Sequence, residues 1–187
     1  VPVRVDAAGR YTPTPAVSHA ILTHPGGNAD GIVVTPSHNP PRDGGFKYNP
    51  PSGGPAPAQA TDWIARRANE YIAAGLRGVK RVSVSGVLDE RAEKFGYLDH
   101  YVSDLDSVVD MDAIKASGLH VGADPMGGAS VDYWGAIGER YGLNLVVVNP
   151  RVDATWRFMT LDTDGKIRMD CSSADSMASL CLLYTSD

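Results

Sequence analysis

Ser37, His38 and Lys47 are the side chains of this chain whose types and spacing invite chemistry. They share the stretch Thr35-Pro36-Ser37-His38-Asn39-Pro40-Pro41-Arg42-Asp43-Gly44-Gly45-Phe46-Lys47-Tyr48-Asn49-Pro50-Pro51. Prolines at 36, 40 and 41 fix their own φ and push the preceding residue out of the helical region, so the backbone around Ser37 is stiff. That stiffness suits a hydroxyl that is presented to a ligand rather than packed. His38 is adjacent to Ser37 and cannot turn its ring onto the same hydroxyl, which argues against a hydrolase-type Ser-His pair and for a role in orienting the loop.

The elements around this loop must deliver it. Gly31-Ile32-Val33-Val34 is an apolar, β-branched run of strand length ending at Thr35, so a strand feeds Ser37 into the loop. Val1 to Val5 alternates as an earlier strand. Thr12-Pro13-Thr14-Pro15 offers an N-cap threonine with proline at the first helical position, which predicts a helix over 15–23 closed by Pro25-Gly26-Gly27-Asn28. Strand, helix and strand in that order predict a right-handed parallel crossover, with Ser37 beyond a strand's carboxyl end, where α/β sheets bind ligands. After the turn region 52–58, residues 60–74 predict a helix with Ile64, Ala68, Tyr71 and Ile72 on one face, and Gly75 as its stop. Val79 to Val84 alternates as a strand, residues 88–96 are ambiguous, and residues 98–117 predict a helical connector.

A second unit repeats the architecture. Leu119 to Asp124 predicts a strand, Pro125-Met126-Gly127-Gly128 a turn, residues 130–141 a helix and residues 143–148 a parallel strand. Residues 156–161 and 166–169, flanking Asp162-Thr163-Asp164-Gly165, predict a hairpin, because Asp-Gly between alternating runs is a turn signal. The two alternating aspartates are too few for a metal loop. The fold class is therefore α/β, with mixed and parallel sheets sandwiched by helices.

Thr-Pro-Ser-His-Asn-Pro-Pro followed by Asp-Gly-Gly-Phe-Lys-Tyr-Asn-Pro-Pro resembles the phosphoserine loop of the α-D-phosphohexomutases, nearest to the branch acting on α-D-glucose phosphates. The similarity runs from about Tyr11 to about Leu180. The resemblance implies two partial family domains, residues 1–108 and 109–180. It implies that Ser37 carries a phosphoryl group, giving it to one hydroxyl of a sugar phosphate and receiving it back from another through glucose 1,6-bisphosphate. Mg²⁺ would be the cofactor, bound in part by the phosphate on Ser37, with its remaining ligands outside this chain. In the family the cation loop has three alternating aspartates followed by arginine, a pattern that residues 162–165 lack. Lys47 falls on the position of a sugar-phosphate contact and proton-transfer partner, and His38 also falls on a family position. Asn39, Gly44 and Gly45 either offer N–H groups to the phosphate or make the turn. Asp124 to Gly128 matches a strand end of the second domain, with a structural turn expected.

Composition narrows the classes. The chain has 187 residues, 43% hydrophobic and 21% charged, with a net charge of -5, as in ordinary globular proteins. There is no basic stripe for nucleic acid and no apolar run long enough for a membrane span. Cys171 and Cys181 have no metal or disulfide spacing, which suits the cytoplasm. The expected partners are small sugar phosphates, with the oligomeric state left open. The start at Val1, without Met or signal-peptide order, suggests a beginning inside a gene, and residues 181–187 match one reading frame of a transposase-type sequencing adapter and are expected to be a non-native tail.

Overall fold

The computed structural model describes residues 2–81 and 92–185. Its elements, in chain order, are β1 (Val3–Asp6), α1 (Thr14–Leu22), β2 (Gly31–Val34), β3 (Phe46–Asn49), α2 (Ala58–Ala73), β4 (Ala92–Phe95), α3 (Tyr97–Val102), a 3-10 turn (Leu105–Ser107), α4 (Met111–Ala116), β5 (Val121–Ala123), α5 (Val131–Tyr141), β6 (Leu145–Val147) and α6 (Ala178–Thr185). Helices accompany small parallel and antiparallel sheets, so the α/β class holds.

The strand partners differ from the expected crossover. β1 pairs in parallel with β4, Val3 opposite Ala92 through Asp6 opposite Phe95. β2 pairs antiparallel with β3, Gly31 opposite Asn49 through Val34 opposite Phe46. The strands on either side of α1 are therefore in separate sheets. A strand pattern specifies which residues extend, and the partner comes from packing. The second unit matches expectation, with β5 and β6 parallel across α5.

Helix α1 begins one residue early. Thr14 is its first residue, Pro13 occupies the cap position, and no side chain caps the N-terminus. Helix α2 runs from Ala58 to Ala73, with Gly75 just past its C-terminus at φ 65. It buries no residue, and Ile72 is 64% exposed, so the apolar face anticipated there lies largely open. A cavity of about 570 Å³ lies between α2 and β3, lined in part by Phe46, Ile64 and Ala68.

The expected connector over 98–117 is split into α3, the 3-10 turn and α4. Short polar side chains compete for its backbone: Ser103 Oγ donates to His100 O, Ser107 Oγ to Asp104 O, and Asp110 accepts from Ala113 N. The predicted hairpin over 156–169 forms a turn without strands. Gly165 N donates to Asp162 O and Asp162 N to Lys166 O, while Arg168 pairs with both aspartates and ties the segment into a knot of charge. Of the expected strand at 79–84, residues 79–81 are not extended into a sheet and the rest lie outside the described residues. Residues 88–91 of the ambiguous segment also lie outside, and 92–95 are β4.

One core cluster joins the two expected units. Ala16 of α1, Leu98 and Val102 of α3 and Tyr133 of α5 are buried against one another. Tyr141 seals its end, donating its hydroxyl to Val102 O at 2.6 Å and accepting Asp106 N at 3.3 Å.

Candidate functional site

Strand β2 ends at Val34, and the chain turns out at Thr35. Thr35 N donates to Gly45 O at 3.0 Å, which extends the β2–β3 register by one further rung. The two strands thus pinch the 36–44 loop at its base. Within it, Asn39 N donates to Pro36 O and Asp43 N to Pro40 O, closing two consecutive turns at the prolines.

Ser37 sits at the exposed tip with φ 61, a left-handed conformation that costs a residue with a Cβ about 1–2 kcal/mol. Its N–H donates to Thr35 Oγ1 at 3.0 Å. Its Oγ receives a hydrogen bond from Lys47 Nζ at 3.4 Å. Lys47 stands on β3 opposite Val33, so the strand pairing carries its ammonium back to the loop. The structure therefore joins Ser37 and Lys47, two of the residues singled out in sequence.

The remaining sequence candidates are placed less closely. His38 and Asn39 are exposed, and Asn39 gives its backbone N–H to the turn rather than to the loop's centre. Gly44 has open space where a Cβ would stand, whereas a Cβ on Gly45 would lie 3.1 Å from Thr35 O. Thr35 is the residue that sequence reasoning passed over. Its signal was its position, the last strand residue two places before a serine, where a hydroxyl reaches the i+2 amide.

A cation would need oxygen donors beyond Ser37. Among the described residues no group of three His, Cys, Asp or Glu side chains could hold a metal. Asp162 and Asp164 are held by Arg168 at 3.1 and 2.7 Å. Asp164 is drawn far below the usual carboxylate range, first by the hydrogen bond from Arg168 and then, against the cost of desolvation, by Lys166. These carboxylates are internally satisfied, in keeping with a turn rather than a metal loop. Asp124 likewise braces its own strand end, accepting Met126 N at 2.8 Å and Asn149 Nδ2 at 2.9 Å.

Residues 3–74 match the family model described as phosphoglucomutase/phosphomannomutase, alpha/beta/alpha domain I. Phosphoglucomutase from Komagataeibacter xylinus is 54% identical over 185 residues, covering 96% of this chain and 33% of that protein. Phosphoglucosamine mutase from Synechococcus is 28% identical over 157 residues, covering 80% of this chain and 31% of that protein. In fold, the chain is similar to parafusin, a phosphoglucomutase from Paramecium, with a TM-score of 0.66 and 20% identity over 99% of this chain and 36% of that one. The chain thus carries a phosphoglucomutase/phosphomannomutase domain I match over residues 3–74 and is similar to a bacterial phosphoglucomutase over 96% of its length. It spans about a third of the length of the Komagataeibacter and Synechococcus relatives. No described helix is long and apolar enough to cross a membrane.

Proposed function

We propose that the protein carrying this chain is a phosphoglucomutase, interconverting α-D-glucose 1-phosphate and glucose 6-phosphate through glucose 1,6-bisphosphate. The observation that carries the reading is the 3.4 Å approach of Lys47 Nζ to Ser37 Oγ on a loop pinched by two strands. Phosphoryl transfer needs positioning and charge neutralisation more than covalent ingenuity, and this pair supplies both. In the forward step the bond between Ser37 Oγ and phosphorus breaks as a sugar hydroxyl oxygen bonds to phosphorus. The sugar hydroxyl's proton is relayed through Lys47 to the departing Oγ, so Ser37 ends as a neutral hydroxyl and Lys47 as the ammonium it was at the start. In the return step the phosphoryl group at the other sugar position passes to Ser37. His38 orients the loop, while Asn39, Gly44 and Gly45 border the phosphate.

Mg²⁺ is the cofactor of this reading, but the described residues do not make a site for it. The phosphate on Ser37 would contribute one ligand. The chain alone is accordingly expected to transfer phosphoryl groups poorly, because the phosphoserine has the single charge of Lys47 beside it but no divalent cation to offset the rest. On this reading residues 1–108 and 109–180 are parts of the first and second family domains, residues 181–187 are a non-native tail, and the protein is cytoplasmic.

The similarity to a phosphoglucosamine mutase favours one alternative within the class, a mutase for another hexose phosphate. Kinetics of the full-length gene product on glucose, mannose and glucosamine phosphates tests both. Preference for glucose phosphates supports the proposal. Equal efficiency on all three overturns its narrower form, and absence of phosphoryl transfer to any of them overturns the mutase reading.

A further inference from the structure

We infer that Thr35 is a positioning residue for phosphoryl transfer, holding Ser37 in the left-handed conformation that aims its hydroxyl at Lys47. The inference rests on the mutase reading for its consequence and on geometry alone for its premise.

Ser37 has φ 61, a conformation that L side chains adopt reluctantly, so something local must hold it there. The recorded hold is the hydrogen bond from Ser37 N to Thr35 Oγ1 at 3.0 Å. It fixes the amide of the residue whose φ is unusual, and its acceptor sits on a residue that is itself anchored. Thr35 N is bound to Gly45 O at 3.0 Å, and Gly45 presents no side chain where a Cβ would come within 3.1 Å of Thr35 O. Thr35 is therefore clasped to the end of β3 on its backbone and clasps Ser37 with its side chain.

The same register places Lys47. Val33 faces Lys47, and Thr35, two residues on, faces Gly45, so all four positions share one face of the β2–β3 ribbon. Thr35 and Lys47 are diagonal neighbours across that face, close enough for a long side chain to bridge. Because Gly45 contributes no side chain between them, the lysine arm passes over the rung and meets Ser37 Oγ. Thr35 thus acts on both members of the pair: its hydroxyl sets the serine backbone, and its rung sets the distance from the strand that carries the lysine. The pyrrolidine of Pro36 between them restricts Thr35 to extended geometry, which keeps Oγ1 within reach of the i+2 amide.

The experiment compares the chain with Thr35→Val, which keeps the branched shape and β-propensity but removes the acceptor, and with Thr35→Ser, which keeps it. Amide exchange followed by NMR is expected to quicken about tenfold at Ser37 in Thr35→Val, to stay within about threefold of the parent in Thr35→Ser, and to be unchanged at Val33, whose amide faces β3 in the same register. Equal Ser37 exchange in Thr35→Val and the parent chain overturns the inference. This readout needs no phosphoryl donor, so it decides the role of Thr35 even if the mutase reading fails. In the full-length gene product, Thr35→Val is expected to lower kcat about tenfold or more with KM changed less than about threefold, and Thr35→Ser to restore it. Loss confined to KM, or no recovery in Thr35→Ser, would assign Thr35 a merely structural role and overturn the proposal.

Discussion

Lys47 Nζ lies 3.4 Å from Ser37 Oγ, two side chains ten residues apart in sequence that the pairing of β2 with β3 brings to one point. The contact sits at the long end of hydrogen-bond distance, and a phosphoryl group on Oγ would bring further oxygens toward the ammonium.

Removing either partner should therefore separate two effects. Ser37→Ala in the full-length gene product is expected to abolish transfer of phosphate from glucose 1,6-bisphosphate to the protein, read by intact mass. Lys47→Met should leave the serine in place and lower turnover by about 10- to 100-fold, the worth of one charge-assisted hydrogen bond. Lys47→Arg should recover little, since a planar guanidinium does not replace a compact ammonium at a confined point. Normal turnover in Lys47→Met would remove the lysine from the mechanism.

A second expectation concerns pH. His100 packs beside His19, with ring centroids 4.7 Å apart, and beside Phe95 at 5.0 Å. Thr23 Oγ1 donates to His19 O, so it accepts from His100 Nε2, while His19 Nε2 faces Asp104 Oδ2 at 2.7 Å. Burial first, and then the positive charges of His19 and Arg4 set against Asp104, hold His100 below its ordinary value of 6.5. The unfolded chain then binds a proton more readily than the folded one. The stability from neutral His100 is present above pH 6.5 and is lost as pH falls through that value toward the lower folded one. Urea midpoints measured from pH 7.5 downward should fall in that window, and the fall should shrink in His100→Gln. A midpoint flat across it in the parent chain would contradict this account.

The Asp162–Asp164–Arg168 knot gives a third. With both carboxylates held by the guanidinium, Mg²⁺ should leave the amide resonances of 162–168 unmoved. Arg168→Met should release Asp164, whose titration would climb back toward 3.8 when followed by carboxyl carbon NMR. Shifts at these amides on adding Mg²⁺ to the parent chain would reopen the metal reading.

The shared core gives a fourth. Tyr133 is 3% exposed and touches the cluster formed by α1 and α3, so Tyr133→Ala is expected to cost about 3–5 kcal/mol. Because the cluster spans both units, α1 and α5 should lose amide protection together. Protection retained in α1 while α5 opens would show that the two units are energetically separate.

Gly127 supplies a fifth. It has φ 64, and a Cβ there would stand 2.8 Å from Arg151 O and closer still to Phe158. Gly127→Ala should therefore displace the 150–158 segment, seen as lost protection at Trp156, whose indole N–H donates to Met126 O at 3.2 Å.

By itself the sequence determined what is local. Proline spacing stiffened the 36–41 loop, β-branched residues made β2 a strand, a Thr-Pro start and a Pro-Gly-Gly-Asn end marked α1, and helical periodicity with a glycine stop marked α2, because these preferences act between residues close in the chain. It marked Ser37 and Lys47 individually, through residue types on a constrained loop and the family resemblance. Only the tertiary structure decided partners. That β1 lies beside β4, that β2 turns back on β3, and that Thr35 holds the serine all depend on hydrogen bonds whose acceptors the local pattern does not name. The expected hairpin over 156–169 is absent for the same reason: Arg168 pairs with Asp162 and Asp164 across the turn, and that pairing is not named by the local pattern. The serine and lysine were legible as residues; their 3.4 Å meeting was decided by the register of two four-residue strands.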